Sequence, residues 1–386
     1  MKQILLIIAR IVLAIVFIFS GFVKVIDPLG STYKFADYFH DAFSMDWMIP
    51  ASFVLAIVMS AIEFLFGIAL LINIRVKISS LGVLLFMIVF TPLTLYIAIA
   101  DPVQDCGCFG DALIVTNWQT FYKNIIILII AFIVFYFRKS YKPFLSIRKE
   151  WIITVILAIL TFGLSIYCYK HLPLMDFRPY KVGTHIPDGM KMPDDAQVDE
   201  YMYNYVLKNT ETGEDLEINS EEYVNDSIYW YEGSPWEFID SSEPILIKKG
   251  YTPPIHDFSI TSQDGYDITD IVLEDERFYF LLIAYDLNES SISKQEQINK
   301  LTNYCTNNNY GFICMTSSID IHIKEFVDKT KAPYEFYSTD EITLKTIVRA
   351  NPGLVLLKKG TILGKWHYND IPEIEKFEND FFKKRK

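Results

Sequence analysis

Apolar residues of this chain are concentrated in its first 170 positions, in five long runs separated by short polar stretches. The runs are Ile4 to Val25, Ile49 to Ile74, Ile78 to Ala100, Trp118 to Phe137 and Trp151 to Tyr169. Each approaches the roughly 20 residues that carry a helix across about 30 Å of hydrocarbon, so the pattern predicts five membrane-spanning helices. The first run begins directly after Met1-Lys2-Gln3, as a signal peptide would. Its length, Arg10 within it and the lack of a small-x-small cleavage pattern around Ser20-Gly21-Phe22-Val23-Lys24 favour a retained span. Pro92 predicts a kink in the third span, with Thr91 or Thr94 placed to satisfy freed backbone groups.

After His171 the apolar runs end and Asp, Glu, Asn, Tyr and Pro take over. Residues 173–254 read as a β-rich connecting region. Tyr201 to Leu207 alternates apolar and polar residues, Thr210-Glu211-Thr212-Gly213 is a turn signal, and Leu216 to Ile218 fits a returning strand. The aromatic group Tyr229, Trp230, Tyr231, Trp236 and Phe238 reads as the core of a small β unit, with a sugar-stacking or partner surface as the alternative. From Ile255 the pattern becomes regular. Strand Phe278 to Ala284 is followed by a helix from Ser293 that has Ile298, Leu301 and Cys305 on one face. Strand Gly311 to Met315, helix Ile319 to Lys329, strands Leu354 to Leu357 and Ile362 to His367, and a last helix from Ile371 complete the order. The expected fold class is an α-helical membrane bundle followed by an α/β domain with a mixed sheet. Its divisions are a four-helix membrane domain over 1–140, a cytoplasmic loop and fifth transmembrane helix over 141–172, the connecting region over 173–254, and the α/β domain over 255–386.

Charge adds orientation. With 35 Lys and Arg against 47 Asp and Glu, the net charge is -12, and no basic stripe with interleaved aromatics occurs, which argues against nucleic acid as a partner. Basic residues instead cluster at Arg75-Val76-Lys77, at Arg138 to Lys142 and at Arg148-Lys149, which makes those two connections cytoplasmic. Asp27, Asp37, Asp41, Asp46, Asp101, Asp105 and Asp111 occupy the opposite loops. The N-terminus is therefore expected inside a bacterial inner membrane and the C-terminal domain in the periplasm, where disulfide chemistry is possible.

Candidate chemistry centres on Asp105-Cys106-Gly107-Cys108-Phe109-Gly110-Asp111, between the third and fourth runs. Two thiols one residue apart can join only in a small strained ring, which suits electron exchange better than stapling a fold. Metal binding is disfavoured, because two thiolates supply half of a tetrahedral site and no His lies in the loop. No cofactor motif is identified. Counted inward from the outer ends, Arg10 and Glu63 fall at a similar depth, roughly 20 Å, and are expected to form an intramembrane ion pair, with a proton or quinone-linked role as the alternative. Lys24 and Lys123 either snorkel to the interface or lower the pKa of a thiol in the neighbouring loop. Cys168, at the outer end of the fifth span, is either simply buried or placed to receive a disulfide from the pair. Cys305 and Cys314 read as core thiols.

These residues carry two family resemblances. Ser20-Gly21-Phe22-Val23-Lys24-Val25-Ile26-Asp27-Pro28, then Tyr33-Lys34-Phe35, and a second span with Glu63 and Gly67 resemble the DoxX-like membrane proteins. The loop Asp105 to Gly110 ahead of a fourth span is similar to the MauE branch, four-helix membrane proteins linked to periplasmic disulfide formation in methylamine dehydrogenase maturation. That resemblance covers roughly residues 1 to 140. Over 255–386 the order of elements resembles the thioredoxin-like fold, especially its peroxiredoxin and thiol-disulfide oxidoreductase branches. Asp257-Phe258-Ser259-Ile260 with Asp264-Gly265 looks like the opening hairpin, and Asn351-Pro352-Gly353-Leu354 occupies the cis-proline slot. Where redox-active members carry Cys-x-x-Cys this chain has Asp286-Leu287-Asn288-Glu289-Ser290, so the likeness implies the fold without the activity. The function expected is thiol-disulfide redox or disulfide maturation through Cys106 and Cys108, acting on a periplasmic thiol protein. The alternative is a membrane scaffold presenting a thioredoxin-like binding domain.

Overall fold

A computed structural model of the chain describes residues 2–103, 105–143, 145–248 and 250–383. Five segments among them, Gln3–Ile26, Asp46–Leu71, Val76–Ala100, Asn117–Tyr136 and Ile147–Lys170, are long and apolar enough to cross a membrane. The protein is an integral membrane protein that sits in a lipid bilayer. Its helices are α1 (Lys2–Ile26), the short α2 (Pro28–Asp37), α3 (Ser52–Leu71), α4 (Val76–Ala100), α5 (Asn117–Tyr136) and α6 (Ile147–Lys170). Local chemistry sets their ends. Asp27 caps α2 by accepting the Gly30 N–H at 2.9 Å, with Pro28 in the first turn. Thr116 and Gln119 form a reciprocal capping box at the start of α5. Helix α4 continues through Pro92, and the Thr94 hydroxyl donates to the Thr91 carbonyl at 2.9 Å.

Helices α1 and α3 meet at two glycines. A Cβ on Gly21 would lie 2.5 Å from the Phe64 nitrogen, and one on Gly67 would lie 2.6 Å from the Ile18 nitrogen, so the backbones approach as closely as small residues allow. Leu13, Phe17, Leu70, Val83, Met87, Ile127 and Ala131 fill the interior of the bundle. This register overturns the expected Arg10–Glu63 pair. With Gly21 against Phe64 and Ile18 against Gly67, Glu63 lies level with the C-terminal end of α1, where it pairs with Lys24 at 2.9 Å. Arg10 lies near the other end of α3 and donates to Asn73 Oδ1 at 2.5 Å, with its guanidinium 5.4 Å from the Tyr141 ring centre. Counting depth from the ends of the runs missed this because the close approaches of Gly21 and Gly67, not the run ends, show the register of the two helices.

The α/β region after Asp257 forms one compact unit with residues 1–185. Its elements are α7 (Thr269–Glu274), β6 (Phe278–Ile283), α8 (Gln295–Asn307), β7 (Gly311–Thr316), α9 (Asp320–Thr330), β8 (Glu335–Ser338), α10 (Glu341–Ile347), β9 (Gly353–Lys358), β10 (Thr361–His367) and α11 (Ile374–Phe377), the strands β1–β5 lying in the segment described below. The sheet order is β10-β9-β6-β7-β8, with β6, β7 and β8 parallel and β9 antiparallel to both β6 and β10. A parallel β-α-β unit joined to an antiparallel hairpin, with a cis Asn351-Pro352 bond ahead of β9, is the thioredoxin-like arrangement. Near-continuous apolar strands Phe278–Ile283 and Gly353–Lys358 occupy the sheet centre because both their faces are covered. Cys305 and Cys314 are buried in this core, where desolvation pushes the Cys305 thiol up to about 12 and the Cys314 thiol up as well. Sequence reading missed β8 and α10. The former is a four-residue edge strand in which only Phe336 is buried, and the latter spans seven residues, too short for a helical period to register.

Residues Ile186–His256 form a second unit. Strands β2 (Asn204–Asn209), β3 (Asp215–Asn219) and β4 (Trp236–Ser241) make a sheet of order β3-β2-β4, and β1 (Glu200–Met202) pairs with β5 (Ile245–Lys248). The hairpin expected from the alternation is present, with Leu207 opposite Leu216. Two expectations change here. Trp230, Tyr231 and Phe238 are about half exposed, while Tyr229 and Trp236 are partly buried and meet edge to face, so the aromatic group as a whole is not a core; the buried positions of this sheet are Leu207 and Ile218. Residues 173–185, assigned from sequence to the connecting region, belong with the larger unit, where Gly183 and Thr184 exchange backbone hydrogen bonds with Ile362 at 2.8 and 2.9 Å.

Candidate thiol site

The Cys106-Gly107-Cys108 turn is held from every side. Asp105 Oδ1 accepts the Gly107 N–H at 2.7 Å, while its Oδ2 pairs with Lys34 at 2.9 Å. Gly107 has φ +63°, in the left-handed region that favours glycine, and a Cβ there would lie 3.0 Å from the Lys34 chain, which would have to give way slightly. The Tyr38 hydroxyl donates to the Cys106 carbonyl, and the Ser20 hydroxyl donates to the Cys108 carbonyl at 2.6 Å. Burial pushes the Tyr38 phenol well above its ordinary range, so it remains a donor. With both carbonyls anchored, the two Sγ atoms lie 2.9 Å apart as free thiols.

The two thiols are not equivalent. Cys108 is lowered to about 6, chiefly by the hydrogen bond from Cys106 and then by the charges of Lys123 and Lys24, against the opposing effect of burial. Cys106, the donor of that bond and itself buried, is pushed well up. These effects favour the thiolate on Cys108 and the proton on Cys106. Lys123 reaches the site with its Nζ 4.0 Å from the Phe109 ring centre. Lys24, a few residues inside the end of α1, donates to Ser20 at 3.2 Å and to Glu63 at 2.9 Å. Both lysines and both thiols line one cavity of about 300 Å³. Cys168, by contrast, is buried on α6 and is not among the residues lining that cavity. Among the described residues no cluster of three or more His, Cys, Asp or Glu could hold a metal ion.

The thioredoxin-like domain docks on this loop through one residue. Arg349, three positions before the cis-proline and just past the end of α10, reaches Asp27 at 3.0 Å and Asp111 at 2.9 Å, tying this part of the domain to the residue that follows α1 and to the cysteine loop at once. Tyr285, at the end of β6, meets Tyr33 of α2 hydroxyl to hydroxyl at 3.2 Å. Ile342, Lys345 and Thr346 of α10 line the cavity together with Arg349, so α10 forms a wall of the cavity that holds the thiols. Tyr285 leads into the segment Asp286 to Ser290, and the Asn351 side chain donates to the Asp286 carbonyl at 2.7 Å. Sequence reasoning found Cys106, Cys108 and Lys123 but missed Ser20, Tyr38 and Arg349. Tyr38 and Ser20 act through backbone carbonyls, which leave no pattern in sequence. Arg349 lies 322 and 238 positions from its two partners.

Residues 2–137 match the profile of the family described as Methylamine utilisation protein MauE. Comparison with curated proteins finds no match for the chain. Among solved structures, a candidate thioredoxin from Neisseria meningitidis is similar at 17% identity, over 33% of this chain and 86% of its own, with a TM-score of 0.28. A candidate protein disulfide isomerase from Bacteroides thetaiotaomicron is similar at 16% identity, over 33% of this chain and 84% of its own, with a TM-score of 0.27.

Proposed function

We propose that the protein is a membrane-bound thiol-disulfide redox protein, with Cys108 as the attacking thiol and Cys106 as the resolving one. The observation that carries this reading is the pair itself: two free thiols 2.9 Å apart, with the charges of Lys123 and Lys24 acting on Cys108. The Cys108 thiolate attacks a partner disulfide and forms a mixed disulfide, releasing one partner thiolate. Cys106 then loses its proton and attacks the Cys108 sulfur, which closes the Cys106–Cys108 ring and frees the second partner thiolate. Two electrons pass to the partner. Run in reverse, the same steps oxidise a partner dithiol, the direction that disulfide maturation requires. The basic loops around Arg75 and Arg138 support a site on the non-cytoplasmic side, which in a bacterium would be the periplasm. A thioredoxin-like domain whose only thiols among the described residues, Cys305 and Cys314, are buried in its core acts here as a docking roof, and a protein partner reaches Cys108 when the Arg349 contact opens.

Trapping tests the assignment. Cys106→Ser leaves Cys108 able to attack but unable to be resolved, so it is expected to accumulate a mixed disulfide that reductant releases, whereas Cys108→Ser is not. The reading is wrong if neither variant captures a partner under oxidising conditions and the double variant leaves the cellular thiol balance unchanged.

A further inference from the structure

The cavity beneath α10 has two chemically different ends. At about 300 Å³ it falls at the small end of the range for small-molecule and cofactor sites. Next to the thiols stand Lys24 and Glu63; at the opposite end the lining is apolar, with Phe17, Phe86, Met87 and Ile127 supplied by three spans. Phe17 and Phe86 meet edge to face with centres 5.9 Å apart. An ammonium has three N–H bonds. Those of Lys24 serve Ser20 and Glu63, and among the described residues no partner takes the third.

We propose that this cavity binds the ring of a lipophilic quinone, the two-electron oxidant that returns the Cys106–Cys108 dithiol to the disulfide. The inference rests on the thiol-disulfide reading above and adds the electron acceptor. The roof formed by α10 stands between the thiols and a second protein, while the apolar end lies among membrane spans, the phase in which a quinone dissolves. A flat ring fits walls of Phe17 and Phe86, and a ring carbonyl accepts the remaining Lys24 N–H beside Cys108. In the net step the Cys106 S–H bond breaks and the Cys106–Cys108 S–S bond forms. The two electrons released pass to the quinone. The Cys106 proton and one proton from Lys24, which is replenished from solvent, convert it to the quinol.

The test uses reduced full-length protein in lipid nanodiscs without oxygen, with decylubiquinone as the probe and diamide as a soluble oxidant for comparison. Expected are two thiols lost per quinol formed and a rate that saturates with quinone concentration. Met87→Trp, which fills the apolar end, should slow the quinone reaction about tenfold more than the diamide reaction, since occupation of the site displaces the ring from the sulfur. A quinone rate that stays linear with concentration, or one that Met87→Trp slows no more than diamide oxidation, overturns the inference. If the pair reacts with diamide and traps its partner but leaves decylubiquinone untouched, the quinone site is wrong and the exchange reading stands. If the pair is inert to diamide as well, both fail.

Discussion

Replacing Cys106 by alanine removes the largest of the interactions that hold the Cys108 thiol at about 6 rather than at its ordinary 9.0. Burial still opposes the thiolate in that variant, and only the Lys123 and Lys24 charges remain in its favour, so the midpoint is expected to move up towards the ordinary value. The size of the effect decides the readout. At pH 7 a thiol titrating at 6 is about nine-tenths thiolate and one titrating at 9 about one-hundredth, a ratio of about ninety. A less basic thiolate is also a weaker nucleophile, by about twentyfold over this interval at a Brønsted slope of about 0.45. The net rate difference at neutral pH is therefore only about fourfold. The midpoint of the rate–pH curve, in contrast, shifts by up to about three pH units. The assay is alkylation of reduced protein by iodoacetamide across that range, with the modified cysteine assigned by mass spectrometry. In the parent protein the rate should rise as pH climbs through about 6 and then level off. Cys106→Ala should show the same rise displaced upward, and Cys106→Ser, which keeps a hydroxyl donor, should lie between. Equal midpoints for all three proteins would refute the view that Cys106 stabilises the Cys108 thiolate.

Three further outcomes follow from the packing. Arg349→Ala leaves Asp27 and Asp111 without their shared cation, a loss of about 3 kcal/mol for a buried pair broken on one side, so Cys108 should become at least tenfold more reactive towards a bulky maleimide; unchanged labelling would show that α10 does not gate access. Burial opposes the Asp27 carboxylate, but Arg349 and Arg178 hold its titration below the usual carboxylate range, so the contact should be complete at neutral pH and lost only as pH falls through that lowered value, which a labelling series at acid pH would follow. Gly21→Leu and Gly67→Leu each force a side chain into backbone closer than 3 Å and should lower the thermal stability of the membrane bundle, whereas Gly163→Leu on α6, with nothing within 4 Å, should not; a stable Gly21→Leu protein would contradict the close α1–α3 approach.

The spans and the thiol loop were legible because their signals are local. A run of apolar residues reports burial in lipid wherever it occurs, and two cysteines flanking a glycine report their own geometric constraint. Alternation and length likewise placed β6, β7, β9 and β10, while β8 escaped because an edge strand with one buried residue carries no periodic signal. Lys24 was visible as a cation near a thiol loop, yet its partner was misassigned to Arg10, since equal depth in two helices does not fix their register. That register is set by where the backbones can approach, and it is the pairing of Gly21 with Phe64 and Gly67 with Ile18 that brings Glu63 to Lys24.

By itself, then, the sequence determined a membrane bundle, an α/β domain of thioredoxin-like order lacking its thiol pair, and Cys106 and Cys108 as its candidate reactive thiols. Tertiary structure alone decided which thiol carries the charge, because that depends on a 2.9 Å contact and on cations brought from α1 and α5. It also decided that the thioredoxin-like domain sits over the loop, through an arginine separated from its partners by more than 200 residues. Hydrophobic burial is encoded residue by residue, whereas a pKa and a docking contact depend on distances between groups that only the folded chain brings together.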